Sequence, residues 1–230
     1  MSKSSYLIKN MGILTISNFS SKILVFLLVP LYTSVLSTKE YGTYDLAVST
    51  ATLLYPILTL NIVDAVMRFL MDKESDKKAI ASIGLKYVSI SSVLFGFIML
   101  FFYITGIWSD INGLEGYIFS YYISYVINQF FIQFAKGLEK VKNMGVAGVL
   151  STIVTIIANL FFLLVIKLGL IGFFLANILA QIVSAIYLFL KTEIYNYIEI
   201  KRQPIALRRE MLIYSVPLIA TVGGWWVNSC

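Results

Sequence analysis

Seven apolar runs separated by short polar turns organise this chain, at roughly 11–36, 44–68, 81–106, 117–135, 144–166, 169–190 and 212–230. A helix that crosses a membrane needs about 20 predominantly apolar residues, and each run reaches or approaches that length. None alternates apolar and polar positions over about ten residues, as a barrel strand would. The pattern predicts an all-α polytopic membrane protein, a six-helix transmembrane bundle followed by a seventh helix. Pro30 and Pro56 fall inside the first two runs, where a missing backbone donor predicts a bend.

Composition agrees with the pattern. Hydrophobic residues make up 59% of the chain, charged residues 13%, and the mean hydropathy is +0.84; an ordinary soluble domain carries about a quarter charged residues. The single cysteine, Cys230, excludes an internal disulfide, and the absence of histidine removes the commonest metal ligand. The first run is too long for a cleavable signal peptide and lacks a small-residue cleavage site. No cofactor is expected.

The net charge of +6 has a topological explanation rather than a nucleic-acid partner. Of eighteen Lys and Arg residues, fourteen lie before the first run or in the loops at 68–78, 136–142 and 191–209. The opposite loops hold only Lys39 and Lys167, and Lys22 and Lys86 lie within runs. Basic residues gather in cytoplasmic loops, which places the amino terminus in the cytoplasm and the turn around Trp108 outside.

Polar residues inside a span must face protein or water, so they mark candidate functional surfaces. In the first span Thr15, Asn18, Lys22 and Thr33 share one side. Lys22 lies about 18 Å along the helix from Asn10; it faces a cavity there, unless the helix starts deeper and leaves it at the interface. Asp64 and Arg68 stand one turn apart and suit either an ion pair or a topology anchor. Lys86 is close enough to the cytoplasmic edge to snorkel. The fourth span carries Tyr121, Tyr122, Tyr125, Asn128, Gln129 and Gln133. Rings stack on the CH faces of sugars and amides bond hydroxyls, so this set suits a sugar-handling surface or, equally, interhelical hydrogen bonding. Thr152, Thr155 and Asn159, with Asn177, Gln181 and Ser184, are read as packing positions in the fifth and sixth spans.

No enzyme signature is present: there is no P-loop, no Asp-x-Asp pair, no His or Cys cluster and no nucleophile motif. The outer loops are only about six, ten and two residues long. A non-enzymatic membrane protein is expected.

The stretch LVPLYTSVLSTKEYGTYDL, Leu28 to Leu46, combines the proline, a Tyr-Thr pair, a polar turn at Ser37–Tyr41 and Gly42 as the exit from it. It resembles the end of the first helix in bacterial Wzx-type polysaccharide flippases, of the superfamily that also holds multidrug and toxin exporters. Weaker likenesses follow in the family's order: Asp64-Ala65-Val66-Met67-Arg68-Phe69, Lys136-Gly137-Leu138-Glu139-Lys140, Gly169-Leu170-Ile171-Gly172 and Tyr214-Ser215-Val216-Pro217-Leu218. Relatives carry twelve or more helices in two similar halves. The resemblance therefore implies a first lobe at 1–192, a basic cytoplasmic linker at 193–211 and the start of a second lobe at 212–230. The seventh helix is expected to stand apart from the six.

The function so implied is the flipping of polyprenyl-diphosphate-linked oligosaccharide across the bacterial inner membrane for surface polysaccharides such as O-antigen. The candidate substrate-binding residues are Lys22, Asn18, Arg68, Lys86, Tyr121, Tyr125, Asn128 and Gln129. Membrane lipid and other glycan-assembly membrane proteins are the expected partners. A cation exporter of the same superfamily, a membrane enzyme of glycan assembly and an inactive fragment stand as alternatives.

The charge asymmetry makes a direct prediction. In a Cys230→Ser background, single cysteines at Ser75 and Asn143 react with membrane-impermeant thiol reagents only from the cytoplasm, and one at Asn112 only from outside. Labelling of the Asn112 position from the cytoplasm reverses the topology.

Overall fold

The computed structural model describes residues 29–72, 74–199 and 204–229, with side chains as far as residue 221. Lys22 and Asn18 lie outside the described residues. Among the described residues the secondary structure is helical, with no strand. The helices are α1 (Val29–Val35), α2 (Thr38–Leu58), α3 (Ile62–Leu70), α4 (Lys77–Thr105), α5 (Glu115–Gly137), α6 (Val141–Asn159), α7 (Gly169–Lys191) and α8 (Ile205–Ser229). A π-helical stretch, Leu160–Val165, prolongs α6. Three of these helices are long and apolar enough to cross a membrane, at Lys77–Thr105, Val141–Val165 and Gly169–Lys191, and α2 with α3 makes a fourth as one bent span. The chain is an all-α polytopic membrane protein.

The first turn is shorter than its sequence suggests. Ser37 alone is the cap: its hydroxyl accepts from the Glu40 N–H at 3.2 Å, and the Glu40 carboxylate accepts from the Ser37 N–H at 2.8 Å. That reciprocal box satisfies two of the N–H groups a helix start leaves open. Lys39, Glu40, Tyr41 and Gly42 are thereby already helical, and Gly42 forms no turn.

The second span also differs from expectation. Pro56 is buried within α2, and the break falls just beyond it, where Leu60 and Asn61 both take left-handed backbone angles, φ 51° and 50°. The Asn61 N–H reaches back five residues to the Pro56 carbonyl at 2.7 Å. α3 then leaves α2 at 60°.

The helix at the centre is α5, which packs against α2, α3, α4, α6 and α7. Phe130, Phe134, Tyr122 and Val126 of this helix are fully buried. α6 and α7 pair along their length, and α7 also lies against α5. The opposite sides of α4, α6 and α7 expose Val93, Phe97, Ile157 and Ile186, the apolar surface that hydrocarbon requires.

Glycine allows the closest approach. A Cβ on Gly137 would stand 2.6 Å from the Leu70 Cβ and 2.9 Å from the Met67 carbonyl oxygen. In the turn that follows, the left-handed residue is Glu139, at φ 57°. Gly137 therefore serves the α3–α5 contact rather than the turn.

At the end assigned to the cytoplasm, the chain after α7 folds back across the bundle. The Lys140 Nζ donates to the Thr192 carbonyl at 2.9 Å, and the Asn143 amide to the Lys191 carbonyl at 3.2 Å. The Ser82 hydroxyl donates to the Glu199 carbonyl, and Lys78 pairs with the Glu199 carboxylate at 3.5 Å. Ile194 is fully buried, and Tyr197 packs on Phe134 with ring centroids 5.6 Å apart. Pro204 immediately precedes the first residue of α8, where its missing N–H costs nothing. The first turns of α8 dock on α3: Met211 and Ser215 are fully buried, and Tyr214 packs edge-on against Phe69 at 6.2 Å. Over this part the seventh helix does not stand apart. The Trp225 and Trp226 side chains lie outside the described residues.

Gly137→Ala is expected to cost about 1–3 kcal/mol, because a backbone oxygen and a Cβ must shift to make room. Gly148→Ala, with nothing within 4 Å of the added carbon, is expected to be neutral. Thermal unfolding of the two variants in the same detergent checks the difference.

Candidate functional site

α5 carries more tyrosines and amides than lipid contact tolerates, and the fold turns them inward. Tyr121 and Tyr125, one turn apart, stack with centroids 6.1 Å apart and planes at 10°. Tyr55 of α2 meets Tyr125 edge-on at 5.4 Å, and Phe174 of α7 meets Tyr121 at 6.5 Å. Tyr44, three turns above Tyr55 on α2, lies 4.9 Å from Phe174 and stacks on Phe173 at 4.0 Å. Tyr32 of α1 covers Phe173 from another side at 4.3 Å. Seven rings from four helices thus form one continuous column.

Amides follow the rings. Gln129 lies beside the Tyr125 hydroxyl and Gln181 beside that of Tyr121. The side-chain oxygens of Asn128, Gln133, Asn159 and Gln181 are buried without a hydrogen-bond partner among the described residues. An unpaired buried acceptor costs about 1–3 kcal/mol, so packing stability does not account for four of them.

At one end the column meets Asp64, just past the helix break. Its carboxyl oxygens accept from the Gln133 amide of α5 at 2.8 Å and from the Asn61 amide at 3.0 Å. The Asp64–Arg68 pair that the sequence allows does not form. Arg68 lies exposed one turn further along α3, and Asp64 turns instead to the neutral amides. From Tyr121 to Gln133 the α5 part of this surface runs roughly 18 Å.

At its other end the column borders a cavity of about 320 Å³. Val29, Tyr32, Tyr41, Tyr44 and Phe173 line it on one side, and Ser151, Thr152, Thr155 and Asn177 on the other.

Of the sequence-predicted site residues, the structure brings Tyr121, Tyr125 and Gln129 onto one line and buries Asn128 beside them. Arg68 and Lys86 stand exposed on α3 and α4. Sequence reasoning passed over Tyr44, Tyr55 and Phe173 and took Thr152, Thr155, Asn177 and Gln181 for packing. The 11-residue interval between Tyr44 and Tyr55, three helical turns, was the available signal.

Across residues 7–227 the sequence matches the family model described as polysaccharide biosynthesis protein. The chain belongs to this family. No curated protein matches it in sequence. Among solved structures, a MOP superfamily transporter from Pyrococcus furiosus, described as having a binding pocket of reverse polarity that suggests a different function, aligns with 92% of the chain at a TM-score of 0.60 and 18% identity. At that identity the likeness speaks for the fold alone. The alignment covers 49% of the Pyrococcus protein, so this polysaccharide biosynthesis family member spans about half its length.

The Asp64–Gln133 contact joins α3 to α5 and predicts strong coupling. Gln133→Leu and Asp64→Leu are each expected to destabilise the protein. The double variant loses about 1–3 kcal/mol less than their sum, as measured by a double-mutant cycle of unfolding free energies.

Proposed function

We propose that the chain acts as a transporter that moves polyprenyl-diphosphate-linked oligosaccharide across the bacterial inner membrane. The observation that carries this reading is the column of stacked tyrosines and phenylalanines edged with free amide oxygens, inside a bundle of a polysaccharide biosynthesis family member. A glycan crossing hydrocarbon needs CH–ring contacts for its faces and acceptors for its hydroxyls, and this surface offers both. The diphosphate needs cations. Arg68 and Lys86 expose theirs along α3 and α4 toward the cytoplasmic end, where a substrate made in the cytoplasm arrives, and Lys22 is the candidate within the first span. Tyr121, Tyr125, Asn128 and Gln129 hold the sugar in this scheme, and the broken α2–α3 span is the element that changes shape between the two access states.

In proteoliposomes holding the chain and a polyprenyl-diphosphate-linked oligosaccharide in both leaflets, glycan digestible by an external glycosidase is expected to rise well above half of the total. Tyr125→Ala and Gln129→Ala are expected to slow that exchange without lowering the protein content of the vesicles. Exchange no faster than in protein-free vesicles, or transport of an organic cation in its place, overturns the reading.

A further inference from the structure

The outer cavity has a chemistry distinct from the rest of the column, set by which hydrogen-bonding atoms are already used. The Thr152 hydroxyl donates to the Gly148 carbonyl at 2.9 Å and the Thr155 hydroxyl to the Ser151 carbonyl at 2.9 Å. The Asn177 amide donates to the Phe173 carbonyl at 2.9 Å. A carbonyl can only accept, so the amide nitrogen must face it, and Oδ1 is left without an intrahelical partner. The three groups therefore present acceptor oxygens to the cavity, their best donors being spent on their own helices. Just beyond, Asn159 repeats the pattern: its amide donates to the Thr155 carbonyl at 2.8 Å, and its oxygen is buried with no partner among the described residues.

The facing wall is aromatic. Phe173 is held between Tyr32 and Tyr44, at 4.3 and 4.0 Å, so these rings cover one another and do not form an open box around a cation. No charged side chain is among the described lining residues, and these therefore offer no countercharge to an ammonium or a phosphate. At about 320 Å³ the volume lies at the lower end of small-ligand pockets.

We infer that this cavity is a subsite for an uncharged sugar ring that gives its hydroxyl hydrogens to Thr152, Thr155 and Asn177 and lays its apolar edge against Tyr44 and Tyr32. The assignment rests on the flippase reading for the identity of the glycan, but not for the chemistry of the pocket. It adds a second set of sugar contacts, from α6 and α7, to those of α5. The diphosphate stays with the cations at the cytoplasmic end.

The test is saturation-transfer NMR on the full chain in lipid nanodiscs, with methyl β-glucoside as the sugar probe and tetramethylammonium as the cationic one. Transfer to the glucoside ring protons is expected. Thr155→Val and Asn177→Leu should each weaken glucoside binding roughly fivefold, the weight of one hydrogen bond. Thr155→Ser keeps the acceptor and should bind as the parent does, which separates chemistry from misfolding; Val93→Leu on the lipid-facing side of α4 serves as control. Transfer to tetramethylammonium alone, or glucoside binding unchanged in a Thr152→Val/Thr155→Val double variant, overturns the assignment. Loss of glucoside binding in these variants, with no glycan exchange in the parent's proteoliposomes, leaves the subsite standing and sinks the flippase reading. Glycan exchange that the same variants do not alter, with glucoside bound by none, does the opposite.

Discussion

A helix too polar for lipid must be surrounded by others, and α5 imposes that constraint on the whole bundle. Its tyrosines, asparagine and glutamines would each lose water without compensation if they faced hydrocarbon. Five other helices pack around it, and their outward sides carry the apolar residues that lipid accepts. Glycine makes the enclosure tight: Gly137 admits α3, and Gly84 of α4 sits where a Cβ would meet the Phe130 ring at 2.5 Å. The interior is therefore packed at its edges and polar along its axis.

The broken second span follows from the same demand. A straight helix would carry Asp64 along its original line. The two left-handed residues at Leu60 and Asn61 instead redirect α3 so that the carboxyl meets Gln133. Conformational strain at a break of this kind costs of order 1–3 kcal/mol per residue, and the amide contacts to Asp64 and the burial of Ile62, Val63 and Val66 offset it. Few regular hydrogen bonds cross the break, so it is the place where the span can bend further without unfolding either piece.

Much of the fold was legible in the sequence because hydrocarbon imposes a simple length and polarity rule. The apolar runs anticipated α4, the continuous Val141–Val165 span and α7 closely. The helix break was not legible, because its agents are Leu60 and Asn61 rather than Pro56, and left-handed angles at such residues depend on what α3 packs against. Gly42 and Gly137 carried a turn signal, yet both lie in helices; proximity to Leu70, which only the tertiary structure reveals, explains Gly137. In the site, Tyr121, Tyr125 and Gln129 announced themselves by spacing on one helix. The rings that complete the column come from α1, α2 and α7, and no one-dimensional pattern joins them. Thr152, Thr155 and Asn177 read as packing residues, and their donors do bond within their helices. That a cavity lies beside them is visible only in the tertiary structure.

The turns at one end of the bundle have a practical corollary. Residues 36–37 join α1 to α2, and residues 166–168 join the π-helical stretch to α7. The third described connection at this end, 106–114, is partly wound into the Ser109–Ile111 helical turn and tied down by the Lys39–Asp110 pair at 3.0 Å. Proteases and antibodies need several residues of extended, accessible backbone. Over the described residues this face offers them almost none, while the connections at the opposite end of the bundle are longer, so limited digestion is a tool that cuts at one end and spares the other.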